Sequence, residues 1–355
     1  MPSNIAHMLI ARMARKKLIA DAQDSNDQTL LEFVRDKLDT EGKKVFMELG
    51  SVGPDLPYYE NLAKGLKDIL FSRSDKPLGV DQWSYQLHSR DPNVFPLKMI
   101  EIAWKETDMD MTDWEDTDEA QANDYLKLAF ICGYLTHMAA DQIIHPVVNK
   151  IAGPYYKTTP AREEHRACEI YQDVVLYQTK QQEMELGEFE QAKFNKWCDL
   201  IPRPWTGRNT EDWFRYFIQK TYVEAHAMAP EAESVESWVD GILVLMRLAN
   251  VRGPFMDAYA DYKDSGNGAN SDKYKKYILL NTIEKPDGAD YFAYIENAVE
   301  LASVYIKAAH KMFELKGLND ESRNRFKSVV RNADLGSPLE EDILATAKKN
   351  LADWQ

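Results

Sequence analysis

The chain has 355 residues, 44% hydrophobic and 28% charged, a balance that excludes a disordered chain and suits a globular protein with a sizeable core. A formal net charge of −15 argues against duplex nucleic acid and anionic membrane surfaces as partners, since both are held through many Lys and Arg contacts to phosphate. Cys132, Cys168 and Cys198 show no CxxC pairing, the N-terminus has no clean signal-type apolar region, and no run of about 18 apolar residues occurs, so the expected location is cytoplasmic with no transmembrane segment.

Apolar residues recur at helical spacing along the chain. Ile5, Met8, Leu9, Met13 and Leu18 predict a first helix, with His7 on its apolar face. A loop is expected over residues 50–57, where Gly53-Pro54-Asp55-Leu56-Pro57 is rigid enough to aim a carboxylate inward. His88 follows Trp83 and Tyr85 in a segment ending Arg90-Asp91-Pro92, and the acidic stretch 108–119 reads as a solvated connection. Leu126, Leu128, Phe130, Ile131, Tyr134 and Leu135 predict a second strongly apolar helix. Residues 153–160, with Tyr155 and Tyr156, read as a loop. Pro202, Pro204 and Gly207 mark a boundary between a first part, 1–200, and a helical extension, 205–355, either a separate unit or part of the same domain. Within the extension, helices are expected over 234–250, 290–314 and 339–353, the last opening on Ser337-Pro338 as cap and first residue, and 265–271 reads as a flexible loop tip. No alternating β-branched pattern competes. The expected fold class is all-α, a multi-helix bundle.

The chemistry concentrates in Gly133-Tyr-Leu-Thr-His137-Met-Ala-Ala-Asp141-Gln-Ile-Ile-His145-Pro146. Residues four apart lie on one helix face, so His137, Asp141 and His145 form a polar stripe on an apolar element. Such groups are costly to bury uncompensated, and a metal ion compensates them; hydrogen-bonded core histidines are the alternative. A second stripe, His165-Arg-Ala-Cys-Glu169 with Asp173 one turn on, admits a metal face or a charged surface helix with a solvated Arg166. Two helices carrying such stripes can enclose a multinuclear site. Cys132 and Cys168 fall off the ligand faces and read as packing, while His226 and His310 lie outside both stripes.

In order, His7, Asp55, His88, His137-xxx-Asp141, His145 and His165-xxx-Glu169 resemble the zinc-dependent phospholipase C family, whose superfamily also holds the fungal single-strand nucleases. Gly133–Pro146, Asn4-Ile-Ala-His7 and Leu49-Gly-Ser-Val-Gly-Pro-Asp55 look like the phospholipase branch, and the resemblance covers about the first half. It implies two or three zinc ions. Asp55, His88, His137 and Asp141 would hold one; His145, His165 and Glu169 a second; and His7, bridging Asp141 and the N-terminal residue a third. It also implies a metal-activated hydroxide as nucleophile, with Asp55 the first candidate for its proton acceptor. The family completes the third position with an N-terminal tryptophan, whereas this sequence begins Met1-Pro2, leaving the Pro2 amine, Ser3 or Asn4 to substitute.

The expected function is hydrolysis of a small-molecule or lipid phosphoester. Tyr58, Tyr59, Trp83, Tyr155 and Tyr156 stand near the motif loops, where ring faces can hold a choline-like or hydrophobic head group. The rivals are a single-strand nuclease-like phosphodiesterase, disfavoured by the charge, and a non-hydrolytic or structural metalloprotein.

Overall fold

The computed structural model describes residues 4–60, 82–89, 91–107, 119–153, 158–180, 208–249, 254–314, 318–333 and 342–354. Expectations for residues 1–3, Tyr155, Tyr156, Cys198, the 201–207 boundary, most of the acidic connection and Ser337-Pro338 lie outside them.

Among the described residues the regular structure is entirely helical, as the periodicity predicts. The helices are α1 (Asn4–Asp24), α2 (Gln28–Lys37), α3 (Glu41–Gly50), α4 (Gln82–Ser89), α5 (Val94–Thr107), α6 (Glu119–Ala152) and α7 (Thr159–Lys180). They continue with α8 (Arg208–His226), α9 (Ala232–Ala249), α10 (Pro254–Asp264), α11 (Asp272–Tyr277), α12 (Tyr291–Glu314), α13 (Asp320–Val329) and α14 (Ile343–Ala352). None of those described is long and apolar enough to cross a membrane.

The long α6 forms the axis. Its apolar residues, Leu128, Phe130, Ile131, Tyr134, Leu135 and Met138, are all buried, and α1, α3, α5, α7 and α12 pack around it. Because α6 is buried on several sides, a polar group on it must find a partner inside the protein. A single hydrophobic cluster runs from Ile5 on α1 to Trp354 beyond α14, so helices from both halves of the sequence share one core.

Two glycines fix the crossing of α3 and α6. A Cβ on Gly133 would overlap the Met47 carbonyl oxygen, and one on Gly50 would overlap that of Phe130. The backbones therefore meet with no side chain between them. This contact brings the end of α3, and the Ser51–Asp55 segment after it, directly over His137.

Two local expectations change. The segment Gly53–Tyr59 is a 3-10 helix rather than a loop, with the Asp55 amide donating to the Val52 carbonyl at 3.1 Å. Pro54 and Pro57 hold φ near the helical value of about −65°, which suits this tight turn. The 265–271 segment is a closed turn rather than a flexible tip. Gly268 N donates to Tyr262 O at 2.9 Å, Asn270 N donates to Ser265 O at 3.0 Å, and Ser271 caps α11 by accepting from Tyr274 N. The positive φ of Gly266 and Gly268 permits that path.

Candidate metal centre

The site lies where α1, the 3-10 turn, α4, α6 and α7 converge. The first turn of α1 is tied to α7 by Asp173, whose carboxylate accepts from the Ala6 amide at 2.7 Å and the Ile5 amide at 3.4 Å. Those amides have no partner within their own helix, so a buried carboxylate both satisfies them and aims the next residue. That residue is His7, whose Nε2 stands 3.3 Å from Asp141 Oδ1.

Backbone carbonyls set the two central imidazoles. His137 Nδ1 donates to the Ser51 carbonyl at 2.9 Å, a bond made possible by the close α3–α6 crossing. His88 Nδ1 donates to the Ser84 carbonyl one turn earlier at 2.8 Å, while the Ser84 hydroxyl donates to Pro54 O at 2.7 Å and ties α4 to the 3-10 turn. A carbonyl only accepts, so both Nδ1 atoms carry a proton and both Nε2 atoms point into the site. Yet the two Nε2 atoms face each other at 3.3 Å. At that separation a proton shared between the two nitrogens, or a metal ion held by both, satisfies them.

The carboxylates pose the same requirement. Asp141 Oδ1 faces His7 and His145, each at 3.3 Å, and its Oδ2 faces His137 at 3.2 Å and His88 at 3.5 Å. Asp55 Oδ1 stands 3.2 Å from His88 Nε2. Glu169 Oε1 is 3.1 Å from His165 Nε2 and 3.4 Å from His145 Nε2. Asp55 is 0% exposed and Asp141 1%, and none of their four oxygens receives a hydrogen bond. Isolated buried carboxylates cost several kcal/mol each, about the scale of a domain's whole stability margin.

Protons can supply part of the compensation. Burial alone would raise the Asp141 carboxyl, but His145 and His137 beside it hold it well below the usual carboxylate range. Glu169 is likewise held low against burial, by His165 and His145. Burial opposes a charged His145, yet Asp141 and Glu169 outweigh it and raise this imidazole to about 9. A cation entering here would displace such protons.

The donor atoms form three groups, each within 4.8 Å: His7, His137 and Asp141; Asp55, His88 and His137; and His145, His165 and Glu169. The structure thus brings all eight sequence-predicted residues into one cluster, with Asp141 touching partners on both sides. Imidazole and carboxylate donors with unsatisfied buried oxygens fit zinc-type ions. Of the candidates proposed to complete a third position, Asn4 Oδ1 instead accepts from the Tyr59 hydroxyl at 2.8 Å. Cys132 and Cys168 are buried in the core, their thiols pushed up by burial.

Outside the cluster, His310 packs on Phe33 and His226 near Phe95 and Tyr222. Of the loop aromatics, Tyr59 is fully buried and Trp83 lies edge-on to Tyr222, so both are packing residues; Tyr58 lies 6.0 Å from the His88 ring, centre to centre.

Sequence reasoning missed the Ser51 and Ser84 carbonyls, which no side-chain pattern reveals. It also missed Tyr291, the first residue of α12, which lines a small cavity with His7, Asp141, His145, Glu169 and Gln172. A lone tyrosine at a helix start carries no ligand spacing, so nothing in the sequence singled it out.

The family model for zinc-dependent phospholipase C matches residues 6–229, more than half of the chain. No curated protein and no solved structure matches it.

Proposed function

The chain belongs to the zinc-dependent phospholipase C family, and from that premise we propose that it hydrolyses phosphoesters with zinc, lipid phosphoesters being the substrate class. The observation that carries this reading is the buried cluster of five imidazoles and three carboxylates, in which Asp55 and Asp141 have no hydrogen-bond donor. Asp55, His88, His137 and Asp141 would hold one ion; His145, His165 and Glu169 a second; and His7 with Asp141 a third. When bound, such ions bring a water's pKa from about 15.7 to near 7 and neutralise charge on a phosphoryl group.

The chain's own residues do the rest. Asp55 accepts the proton of the attacking water, a role that suits a fully buried carboxylate held on a rigid turn. Ser51 and Ser84 fix the imidazole tautomers, and Asp173 holds His7 in place. The second half belongs to the same folding unit and walls the site, through α12 against α6 and through α9 against the 3-10 turn.

The test is elemental analysis of the purified chain, followed by parallel assays on phosphatidylcholine, soluble phosphodiesters and phosphomonoesters, single-stranded DNA and RNA. The expected result is at least two zinc ions per chain with turnover of phosphatidylcholine. Cleavage of the polynucleotides alone, or a chain that binds no metal, would overturn the proposal.

A further inference from the structure

We propose that Tyr291 is a substrate-binding residue whose hydroxyl donates a hydrogen bond to an oxygen of the phosphate group bound at the metal cluster. This inference rests on the hydrolase reading above and adds a residue from beyond the matched region 6–229.

Tyr291 is 1% exposed, and its hydroxyl is buried without any hydrogen-bond partner. Native proteins rarely leave such a group unsatisfied, because burying it without a partner forfeits its bonds to water. The cavity it lines also exposes His7, Asp141, His145 and Glu169, all residues of the metal cluster. The polar side chains of that cluster are imidazoles and carboxylates, suited to a cation. The phenol is different: its hydroxyl carries a proton at neutral pH and can donate. A donor beside a cationic cluster is the complement of an oxyanion.

The position is rigid. The Tyr291 amide donates to Ile278 O at 2.8 Å, and Asp290 caps α12 by accepting from the Phe292 and Ala293 amides at 3.0 and 3.2 Å. Behind this first turn, α12 runs along α6, the helix that carries His137, Asp141 and His145. Rival acceptors lie in the same cavity, since Glu169 Oε2, both Asp141 oxygens and His7 Nδ1 are also buried without a hydrogen bond. The two roles separate by experiment: a tyrosine that orients one of these metal-cluster residues governs metal retention, whereas one that binds phosphate does not.

The experiment compares the full-length zinc-loaded chain with Tyr291→Phe, using inorganic phosphate as the probe in a calorimetric titration. Zinc content, melting temperature and turnover of a chromogenic phosphodiester are measured alongside. The expected result is a phosphate affinity about 10–100-fold weaker and a comparable loss of kcat/KM. Zinc content should be unchanged and the melting temperature equal or higher, because the variant removes an unsatisfied buried hydroxyl. Unchanged phosphate affinity would overturn the inference and leave the hydrolase reading standing. Loss of zinc from the variant would overturn it too, by assigning Tyr291 to a residue of the metal cluster. A zinc-loaded wild type that neither binds phosphate nor cleaves any phosphoester would overturn the hydrolase reading itself.

Discussion

Glu101 and Asp141 are almost equally buried, at 2% and 1% exposure, and they are compensated in opposite ways. Glu101, on α5, meets Lys98 Nζ at 2.8 Å and Arg323 Nε at 2.6 Å. Glu48, on α3, is gripped by the Arg12 guanidinium through bonds of 2.7 and 3.0 Å. These carboxylates carry permanent cations supplied by the chain. Asp141 and Asp55 meet only imidazoles, whose charge depends on a proton. The contrast separates two uses of a buried acid: a fixed cation closes a structural contact, whereas imidazole lone pairs leave room for an exchangeable one.

The sharpest way to break this contrast is at Asp141. Because its two oxygens face histidines on both sides, Asp141→Asn should weaken zinc affinity by more than about 100-fold, beyond the 10–100-fold typical of supporting residues. Elemental analysis should find more zinc lost than in Glu169→Gln, which faces His145 and His165 alone. Equal losses would mean that Asp141 does not join the groups. A smaller effect is expected from Gly133→Ala, which tests whether the helix crossing builds the site. The added methyl forces α3 from α6 and should cost about 3 kcal/mol in denaturant unfolding. It should also weaken zinc binding by moving Ser51 off His137; full zinc affinity with lost stability would uncouple the crossing from the site.

Glu101→Gln should have the smallest effect, about 1.5–2 kcal/mol, with zinc content unchanged, because its partners Lys98 and Arg323 stay partly exposed to water. Burial favours the neutral acid here, but Lys98 and Arg323 outweigh it and hold the carboxyl below its usual value. A depressed folded-state pKa contributes stability above the unfolded value of about 4.3 and loses it as pH falls through the folded one. The stability gap between wild type and variant should therefore be present at pH 7 and close in acid. A gap that does not shrink as pH falls below about 4 would show that the ion pair is not its source.

Much of the site was legible because its chemistry is written at helical spacing. His137, Asp141 and His145 share a face by the geometry of one helix, and His165 with Glu169 by that of another. Asp55 and His88 were legible through family order, since neither stands in a local stripe. The fold class followed from the same periodicity, whereas the 3-10 helix at Gly53–Tyr59 was mistaken for a loop because its prolines mark breaks and tight helical turns alike.

The amino-acid sequence by itself determined the helices, the polar stripes on two of them and the order of the site residues, because these depend on spacing within a few turns. Only the tertiary structure decided which ring nitrogens meet. That His137 faces His88, that Ser51 fixes its tautomer and that Tyr291 enters the cavity from more than a hundred residues away all depend on helix crossings. Crossings are set by packing between distant side chains, and at Gly50 and Gly133 by the absence of any, a cooperative outcome of the whole core that no local pattern encodes.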